Sequence, residues 1–344
     1  MNDSRRRRKP RRPNRSATNA RDLAFAVLDE YKRTSAFASD LLDLYGAAED
    51  LADNDRRLAR EIVYGVIRRQ STLNALLEPN VSRPRHQIEG PLWTLLQIGG
   101  YQLALMESIP AHAAVHETVE SARRIGKSRW CGLLNGVLRA VANSLTDEHT
   151  GEASADAVPI AEGEYRKCAH PVFPDPAANE SGYFSRAFSF PEWLAARWSE
   201  RFAFAELCRL GFWFNRAVPL CLRVNSLRTS RDELLAALDA AGVDAHEGTL
   251  DEALWIDSPA RVESLPGYRE GWFVVQDESA MHAAGALAPR PGDSVLDLCA
   301  APGTKTTQLA MLMHDEGTLV AADVHPERLK RIAQNCGRLG LSIV

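Results

Sequence analysis

The sequence predicts a multidomain protein with an all-α bundle, a small α+β domain and the first half of a doubly wound α/β sheet. Three observations lead to this fold class. Residues 17–145 carry only helical periodicity, residues 190–280 mix strand alternation with helices, and residues 294–344 alternate strand and helix. A chain of 344 residues is long enough to form a hydrophobic core in each part.

The composition excludes several classes of protein. With 45% hydrophobic and 25% charged residues, the chain is neither fibrous nor wholly disordered. No apolar run reaches the roughly 18–20 residues that span a bilayer, and no apolar stretch follows the basic N-terminus as in a secretory signal. The six cysteines are scattered without a CxxC pair, which predicts a reducing cytoplasm and argues against a disulfide scaffold or a zinc ribbon.

Residues 1–16 are predicted to form a disordered basic arm. Eight of the 41 basic side chains, but only one of the 45 acidic side chains, lie in residues 1–15. A cationic arm on an acidic body favours a polyanionic partner, nucleic acid first. A merely solubilising tail is the alternative that the arm by itself leaves open.

Residues 17–145 are predicted to form a bundle of six or seven helices. Leu58, Ile62 and Val66 recur at helical spacing on one face, and similar runs follow until residue 145. Residues 146–186 are rich in Ala, Glu, Asp, Pro and Gly and lack sustained periodicity, so they are predicted to be a linker.

Residues 187–283 are predicted to form the small α+β domain. Pro191 suits a first helical position, and Ser230 with Glu233 forms a capping-box pattern that opens a second helix. The segments VPLCLRVN, ALWID and GWFVVQD are typical of strands.

Residues 284–344 are predicted to open a parallel sheet. VLDL is a short strand, CAAPGTK a turn of small residues and TTQLAMLM a helix. GTLVAAD is a second strand, and the helix after it stops at Gly340. Residues 342–344 resemble the start of a third strand.

The turn after the first strand of this sheet is the predicted ligand site. In such sheets a ligand lies outside the carboxyl end of the strand, at the start of the next helix. Ala300, Ala301 and Gly303 are small enough for close approach, and Asp323 ends the second strand, where a carboxylate binds ribose hydroxyls. An adenosine-containing cofactor is therefore expected, although the missing GxGxxG disfavours a dinucleotide. Alternatively, Asp297 and Asp323 only cap strand ends.

The string DLCAAPGTKTTQLA resembles the cofactor-binding signature of the RsmB/NOP2 family of RNA cytosine-5 methyltransferases. Four helical segments are similar to the helical domain of the bacterial RsmB branch, which is itself similar to the RNA-binding bundle NusB: RDLAFAVLDE, AREIVYGVIRRQSTLNALL, LLQIGGYQLALMESIPAHAAVHETVESAR and GLLNGVLRAV. Three later segments resemble the middle domain of the family: PEWLAARWSERF, LRVNSLR and GWFVVQDESA. The resemblance covers nearly the whole chain apart from the arm and the linker.

The resemblance implies roles for particular residues. It implies that S-adenosylmethionine is held by a loop of seven residues: Cys299, Ala300, Ala301, Pro302, Gly303, Thr304 and Lys305. It implies that Asp323 binds the ribose, and that Arg223 and Asn225 lie in a segment that contacts RNA. Thr304 stands where many relatives have a second glycine, a small change that the loop should tolerate.

The family's reaction uses a cysteine thiolate that adds to carbon 6 of a cytosine, so that carbon 5 takes the methyl group. A second cysteine assists release of the enzyme. Both belong to later motifs that are expected beyond Val344, so no catalytic residue is assigned and the methyltransferase domain is expected to be truncated. Cys299 and Cys336 are interpreted as small, partly buried residues and not as substitutes.

Other candidate residues are weaker. His112 and His116 have the spacing of zinc ligands on a helix, but no third ligand is evident, and no metal site is predicted. Lys305 follows a glycine as in a phosphate-binding loop, but the full motif is absent. Five tryptophans in helical segments are interpreted as core residues, not as base-stacking platforms: Trp93, Trp130, Trp193, Trp198 and Trp213.

The sequence therefore predicts a cytoplasmic, S-adenosylmethionine-dependent methyltransferase acting on cytosine-5 of small-subunit (16S) rRNA, with no membrane partner. The first alternative is a non-catalytic RNA-binding module or the front half of a split methyltransferase gene. The second is an NAD-dependent oxidoreductase, which would require a glycine-rich dinucleotide turn that this sequence lacks.

Overall fold

The computed structural model describes residues 17–34, 36–46, 51–216, 219–257 and 261–344. Contacts divide the chain into two compact units, and the division falls between residues 216 and 217. The predicted basic arm, residues 1–16, lies outside the described residues. In the part of the chain that is described, no helix is long and apolar enough to cross a membrane.

The first unit starts with a helical bundle, as predicted. The described residues up to 144 contain seven α-helices: α1 (Ala20–Arg33), α2 (Ala38–Gly46), α3 (Asp53–Arg68), α4 (Gln70–Leu77), α5 (Gly90–Leu105), α6 (Ala111–Arg124) and α7 (Cys131–Ser144). Short 3₁₀ turns accompany them: Glu78–Asn80, Arg85–Gln87 and Ser128–Trp130. Asn19 caps α1 by accepting hydrogen bonds from the N–H groups of Arg21 and Asp22, at 3.0 Å each. Helix α5 is buried nearly all round and lies at the centre of the bundle.

The predicted linker at 146–186 is wrong, because most of this segment is ordered in secondary structure. It contributes three strands and a helix: β1 (Leu145–Thr150), β2 (Ala157–Ala161), β3 (Glu164–Cys168) and α8 (Glu180–Phe188). The strands pair antiparallel in the order β1-β3-β2. Val158, Tyr165 and Phe184 are buried in the core of the first unit, so tertiary packing supplies the stability that the local pattern did not indicate.

Two further helices complete the first unit: α9 (Glu192–Ser199) and α10 (Phe204–Asn215). Pro191 precedes α9 as its N-cap, one position earlier than predicted. By contacts, α8 to α10 belong to the first unit, so the contact boundary falls after the predicted start of the α+β domain at 187. The predicted domain limits themselves stay predictions.

The second unit contains a four-stranded antiparallel sheet in the order β5-β6-β4-β7. Its strands are β4 (Leu220–Val224), β5 (Ala245–Glu247), β6 (Ala253–Ile256) and β7 (Phe273–Val275). Helix α11 (Arg231–Ala240) follows β4, and a 3₁₀ turn, Val262–Ser264, follows β6. The predicted capping box is confirmed, since the Ser230 hydroxyl accepts from the Glu233 N–H at 3.2 Å and the Glu233 carboxylate accepts from the Ser230 N–H at 3.0 Å.

The rest of the second unit is the predicted strand–helix–strand–helix run. It comprises α12 (Glu278–Leu287), β8 (Ser294–Asp297), α13 (Thr304–Leu312), β9 (Thr318–Ala321) and α14 (Pro326–Leu339). Strands β8 and β9 pair in parallel from Ser294 opposite Thr318 to Asp297 opposite Ala321, which confirms the opening of a parallel sheet. The Leu319 N–H donates to the Ile343 carbonyl at 3.0 Å, where a third strand was predicted to start.

Candidate cofactor site

The carboxylate of Asp297, at the end of β8, fixes the loop between β8 and α13. One oxygen accepts a hydrogen bond from the Thr306 hydroxyl at 2.8 Å, and the other accepts from the Cys299 N–H at 3.2 Å. Thr306 is fully buried in the first turns of α13. Asp297 therefore links the end of β8 to the start of α13 and stabilises the conformation of the loop between them.

Asp323 lies just after β9 and contacts the same loop. Its carboxylate accepts from the Ala301 N–H at 3.1 Å and from the His325 N–H at 2.9 Å. The hydrogen bond from His325 contributes most to holding the pKa of Asp323 below its ordinary value, and that from Ala301 and the cation of Arg328 act in the same direction. Each carboxylate oxygen has capacity for a further hydrogen bond, and the half-buried side chain is within reach of a ligand.

Helix α14 closes the other side of the loop. The Arg328 guanidinium donates to the Ala301 carbonyl at 3.0 Å, and the Asn335 amide donates to the Pro302 carbonyl at 3.4 Å. Gly303 adopts φ +100°, and a Cβ placed on it would lie 3.0 Å from Cγ1 of Ile332. A glycine is therefore required here both by the backbone conformation and by the close approach of α14.

The seven predicted loop residues lie together, but their side chains differ in exposure. Ala300 and Ala301 are buried, whereas Cys299 and Lys305 are exposed. The expectation that Cys299 is partly buried is therefore wrong, since its side chain faces solvent at the mouth of the loop. The first N–H groups of α13 have no earlier helical carbonyl to bond, so the loop presents backbone donors at a positive helix end.

The structure corrects the expectation that Arg223 contacts RNA. Arg223 lies on β4 and is 1% exposed. Its guanidinium donates to Gln276 at 2.9 Å, to the Thr307 hydroxyl at 2.9 Å and to the Thr304 carbonyl at 3.2 Å. Burial lowers its pKa to about 9. Arg223 therefore holds the first turns of α13, directly behind the cofactor loop.

Asn225 is likewise inaccessible to RNA, because its side chain is fully buried. Its amide donates to the Gly271 carbonyl at 2.8 Å and to the Leu339 carbonyl at 3.0 Å. Leu339 is the last residue of α14, and Arg228 donates to the same carbonyl at 3.0 Å. The segment from 222 to 228 thus joins the antiparallel sheet to both helices that flank the loop.

The other candidate residues lie away from this loop or are buried. Cys336 on α14 is buried, and burial raises the pKa of its thiol. His112 and His116 are both exposed on α6. Within the described ranges, no group of three or more His, Cys, Asp or Glu side chains is arranged to hold a metal ion.

The tryptophan prediction is right for some members and wrong for others. Trp93 and Trp130 are buried and Trp198 is half-buried, but Trp193 and Trp213 are exposed by 68% and 56%. The sequence pattern does not reveal this for α10, because Phe212, Trp213 and Phe214 are consecutive and apolar periodicity does not distinguish the buried one from the exposed ones.

Sequence reasoning missed Thr306, Arg328 and Asn335, which shape the loop through hydrogen bonds. Thr306 carries a weak signal, because a hydroxyl residue three positions after a glycine turn can bond back to the strand end. Arg328 and Asn335 have no recognisable signal in the sequence, because their contact with the loop depends on how α14 packs.

Three family models match successive parts of the chain. Residues 18–143 match the NusB family. Residues 190–263 match the ferredoxin-like domain of the RsmF/B-like methyltransferases. Residues 284–344, which contain the loop and Asp323, match the 16S rRNA methyltransferase RsmB/F family.

Curated relatives match over nearly the whole chain. A probable ribosomal RNA small subunit methyltransferase B of Synechocystis is 34% identical over 327 residues, which cover 94% of this chain and 68% of the relative. The protein of the same name in Bacillus subtilis is 31% identical over 95% of this chain and 67% of its own length. The ribosomal RNA small subunit methyltransferase B of Citrobacter koseri is 33% identical, with 94% and 68% covered.

Among solved structures, the crystal structure of PH0851 is similar to this chain in fold. The TM-score is 0.69 at 19% identity, and the match covers 95% of this chain and 69% of that one.

Proposed function

The chain belongs to the ribosomal RNA small subunit methyltransferase B family, and from this membership we propose that it binds S-adenosylmethionine and takes part in methylating cytosine-5 of 16S rRNA. The observation that carries the proposal is the pairing of Asp323 with the Ala301 N–H at 3.1 Å. This hydrogen bond places an ionised carboxylate beside a loop of small residues at the end of a parallel strand.

S-adenosylmethionine fits the residues that form this loop. The Asp323 carboxylate is free to accept hydrogen bonds from ribose hydroxyls, since each of its oxygens uses one lone pair on a backbone N–H. Ala300 and Ala301 are small and pack in the core of the second unit, so neither places a bulky side chain over the loop, and the conformation of Gly303 keeps the turn tight. The cofactor supplies an electrophilic methyl group when bound; the residues named here bind and orient it.

The substrate proposal rests on the relatives and on the domain order. The curated relatives are named as methyltransferases of small-subunit ribosomal RNA, and the first part of this chain matches the NusB family. Cytosine-5 as the acceptor is carried over from the resemblance of the loop sequence, and a helical RNA-binding front is consistent with it. We place the protein in the cytoplasm for two reasons. Its six cysteines are unpaired, as expected in a reducing compartment, and the proposed rRNA substrate is consistent with that compartment.

Two measurements on the 344-residue chain test the proposal. Calorimetric titration with S-adenosylmethionine tests the cofactor site, and Asp323→Ala is the matched variant. Incubation with small-subunit rRNA lacking its methyl groups, followed by nucleoside mass spectrometry, tests for 5-methylcytidine. Cofactor binding with transfer to cytosine supports the proposal. No cofactor binding, or methylation of another base, contradicts it.

RNA binding with cofactor binding but without transfer would favour the alternative of a non-catalytic RNA-binding module. In the described chain, Cys299 is exposed within the cofactor loop and Cys336 is buried on α14. Transfer by this chain would therefore identify a catalytic group that sequence reasoning did not assign.

A further inference from the structure

Helices α9 and α10 of the first unit, with the turn between them, expose several aromatic side chains. The aromatic patch, as it is called below, consists of Phe202, Trp198, Phe214 and Trp213. Trp198 stacks on Phe214 with ring centroids 5.9 Å apart and also contacts the Phe202 ring at 6.5 Å. Trp213 directly precedes Phe214 on α10, so its side chain points about 100° away around the helix axis, and the two side chains are 56% and 54% exposed.

Within the aromatic patch, Trp198 is half-buried and packs against the core of the first unit, whereas Phe202, Trp213 and Phe214 are exposed. Helix α10 buries Leu207, Cys208 and Phe212. Single exposed aromatic side chains are common, but a group of neighbouring exposed rings marks a surface that can bind a partner. The exposed parts of the Trp213 and Phe214 rings therefore favour a binding partner with flat apolar surfaces.

Cationic groups surround the patch. The Arg216 guanidinium lies 3.4 Å from the centroid of the Trp213 ring, and Arg68 donates to the Arg216 carbonyl at 2.9 Å. Arg197 and Arg201 are exposed on and just after α9. Among the described residues, no carboxylate forms an ion pair with Arg197, Arg201 or Arg216. These charges attract an anionic partner, although the chain as a whole has a net charge of −4.

We propose that the aromatic patch binds single-stranded RNA, with bases stacked on Trp213 and Phe214 and phosphates beside Arg216 and its neighbours. Base stacking on exposed aromatic rings contributes about 1–3 kcal/mol per base and tolerates any sequence. Duplex RNA does not fit, because its base faces are already stacked within the helix. An acidic protein partner would use the arginines but would leave the flat ring faces without a matching surface.

This inference rests on the proposed function and deepens it, because it assigns a place where an unpaired segment of the rRNA is held. It concerns the first unit alone and does not depend on the cofactor loop. Binding of RNA to the patch can therefore be measured separately from binding of the cofactor and from methyl transfer.

The experiment is fluorescence anisotropy with the full chain and a labelled 12-nucleotide RNA of mixed sequence, single-stranded or annealed to its complement. The double variant Trp213→Ala/Phe214→Ala should bind the single strand about 5- to 100-fold more weakly, with an unchanged salt dependence. Arg216→Gln should reduce the salt slope by about 0.7. Binding of the duplex should be unaffected by either change.

Trp193→Ala is the matched control, because Trp193 is the more exposed tryptophan of α9 and is not among the four rings of the patch. Its affinity for the single strand should equal that of the unmodified chain. All variants should remain folded, with a lower thermal midpoint for the double variant, because Phe214 packs against Phe190 and Trp198. Unchanged affinity of the double variant, or an equal loss with Trp193→Ala, overturns the inference. If the patch binds RNA but no cofactor binds, the proposed function fails and this inference stands.

Discussion

The guanidinium of Arg223 donates a hydrogen bond to the hydroxyl of Thr307 at 2.9 Å, from a side chain that is 1% exposed. This contact joins β4 of the antiparallel sheet to the first turns of α13 of the parallel sheet. The same guanidinium donates to the Thr304 carbonyl at 3.2 Å. The helix that follows the cofactor loop is therefore held from behind by a residue of another sheet.

Arg223→Met is expected to lower the free energy of unfolding by about 2–4 kcal/mol, because Gln276 and Thr307 lose a buried charged partner. Cofactor affinity should fall as well, since the start of α13 is released. RNA affinity of the folded variant should not change. Urea unfolding, calorimetry with S-adenosylmethionine and RNA anisotropy check these three expectations in turn, and a stable variant with weakened RNA binding would restore the RNA-contact role. Arg231→Gln is a control at a more exposed arginine of the same unit.

Asp323→Ala is expected to weaken S-adenosylmethionine binding by about tenfold or more, because a charged acceptor for the ribose is removed. Binding of RNA should stay the same. Calorimetry with each ligand separates the two effects. Asp315→Ala is a matched control, since Asp315 bonds the N–H groups of Ser342 and Ile343 and not those of the loop. Equal cofactor affinity in Asp323→Ala and the unmodified chain would contradict the assignment.

The pH dependence of cofactor binding follows from the direction of the Asp323 shift. Its pKa lies below the ordinary value of 3.8, chiefly because it accepts the His325 N–H. The acceptor form is therefore fully present above the ordinary pKa and is lost only as the pH falls through the lower, folded pKa. As far as Asp323 is concerned, affinity should be flat from about pH 8 down to about pH 5. A loss of affinity between pH 7 and 5 would indicate another titrating group.

Gly303→Ala is expected to destabilise the second unit by about 1–3 kcal/mol, because a non-glycine residue is strained at φ +100°. The new Cβ would also press on Ile332, so cofactor affinity should fall. Gly285→Ala is the matched control: Gly285 lies in α12 with open space around its Cβ position, and alanine there should stabilise the helix by up to about 1 kcal/mol. Thermal unfolding of both variants checks the difference in sign.

Cys299 and Cys336 should differ in their reaction with a small alkylating reagent. Cys299 is exposed, whereas Cys336 is buried and burial raises the pKa of its thiol, so the thiolate of Cys336 is scarce. Cys299 should be labelled first, and S-adenosylmethionine should protect it. Peptide mass spectrometry after timed labelling measures both. Labelling of Cys299 that the cofactor leaves unchanged would place the cofactor elsewhere.

Removal of residues 1–15 should reduce RNA affinity and flatten its salt dependence, because this segment contains eight basic side chains. Anisotropy at several salt concentrations, with the unmodified chain alongside, measures the slope. Cofactor affinity is the internal control and should not change. Equal RNA affinity with and without the arm, at every salt concentration, would leave the arm as a solubilising tail.

The helices of the bundle and the strand–helix–strand–helix run were predictable because their apolar periodicity coincides with their burial. Leu23 and Val27 lie on the buried side of α1, and Leu309 and Ala310 on the buried side of α13. The loop between β8 and α13 was also predictable, because its small residues lie between a strand pattern and a helix pattern; its role in binding a cofactor stays a prediction. Its position beside Asp323 follows from parallel pairing alone.

The segment from 146 to 186 was not predictable in the same way. Its strands are short, they include Pro159, and their buried residues Val158 and Tyr165 are separated by exposed turns. The buried guanidinium of Arg69 donates to the Pro159 carbonyl. Strand β2 therefore pairs with β3 and is also bonded by a residue 90 positions away in the sequence, and local propensity carries no trace of that distant contact.

The sequence by itself determined the class of each domain, the small-residue turn between β8 and α13 and the family, because these depend on short-range patterns and on residue types. Only the tertiary structure decided that Arg223 and Asn225 are buried and bonded to α13 and α14. It also decided that Trp213 and Phe214 are exposed. Burial depends on which surfaces meet, and residues distant in the chain determine that. The sequence does not show whether an arginine contacts RNA or is buried and bonded to a helix; only the packing around it distinguishes these two roles.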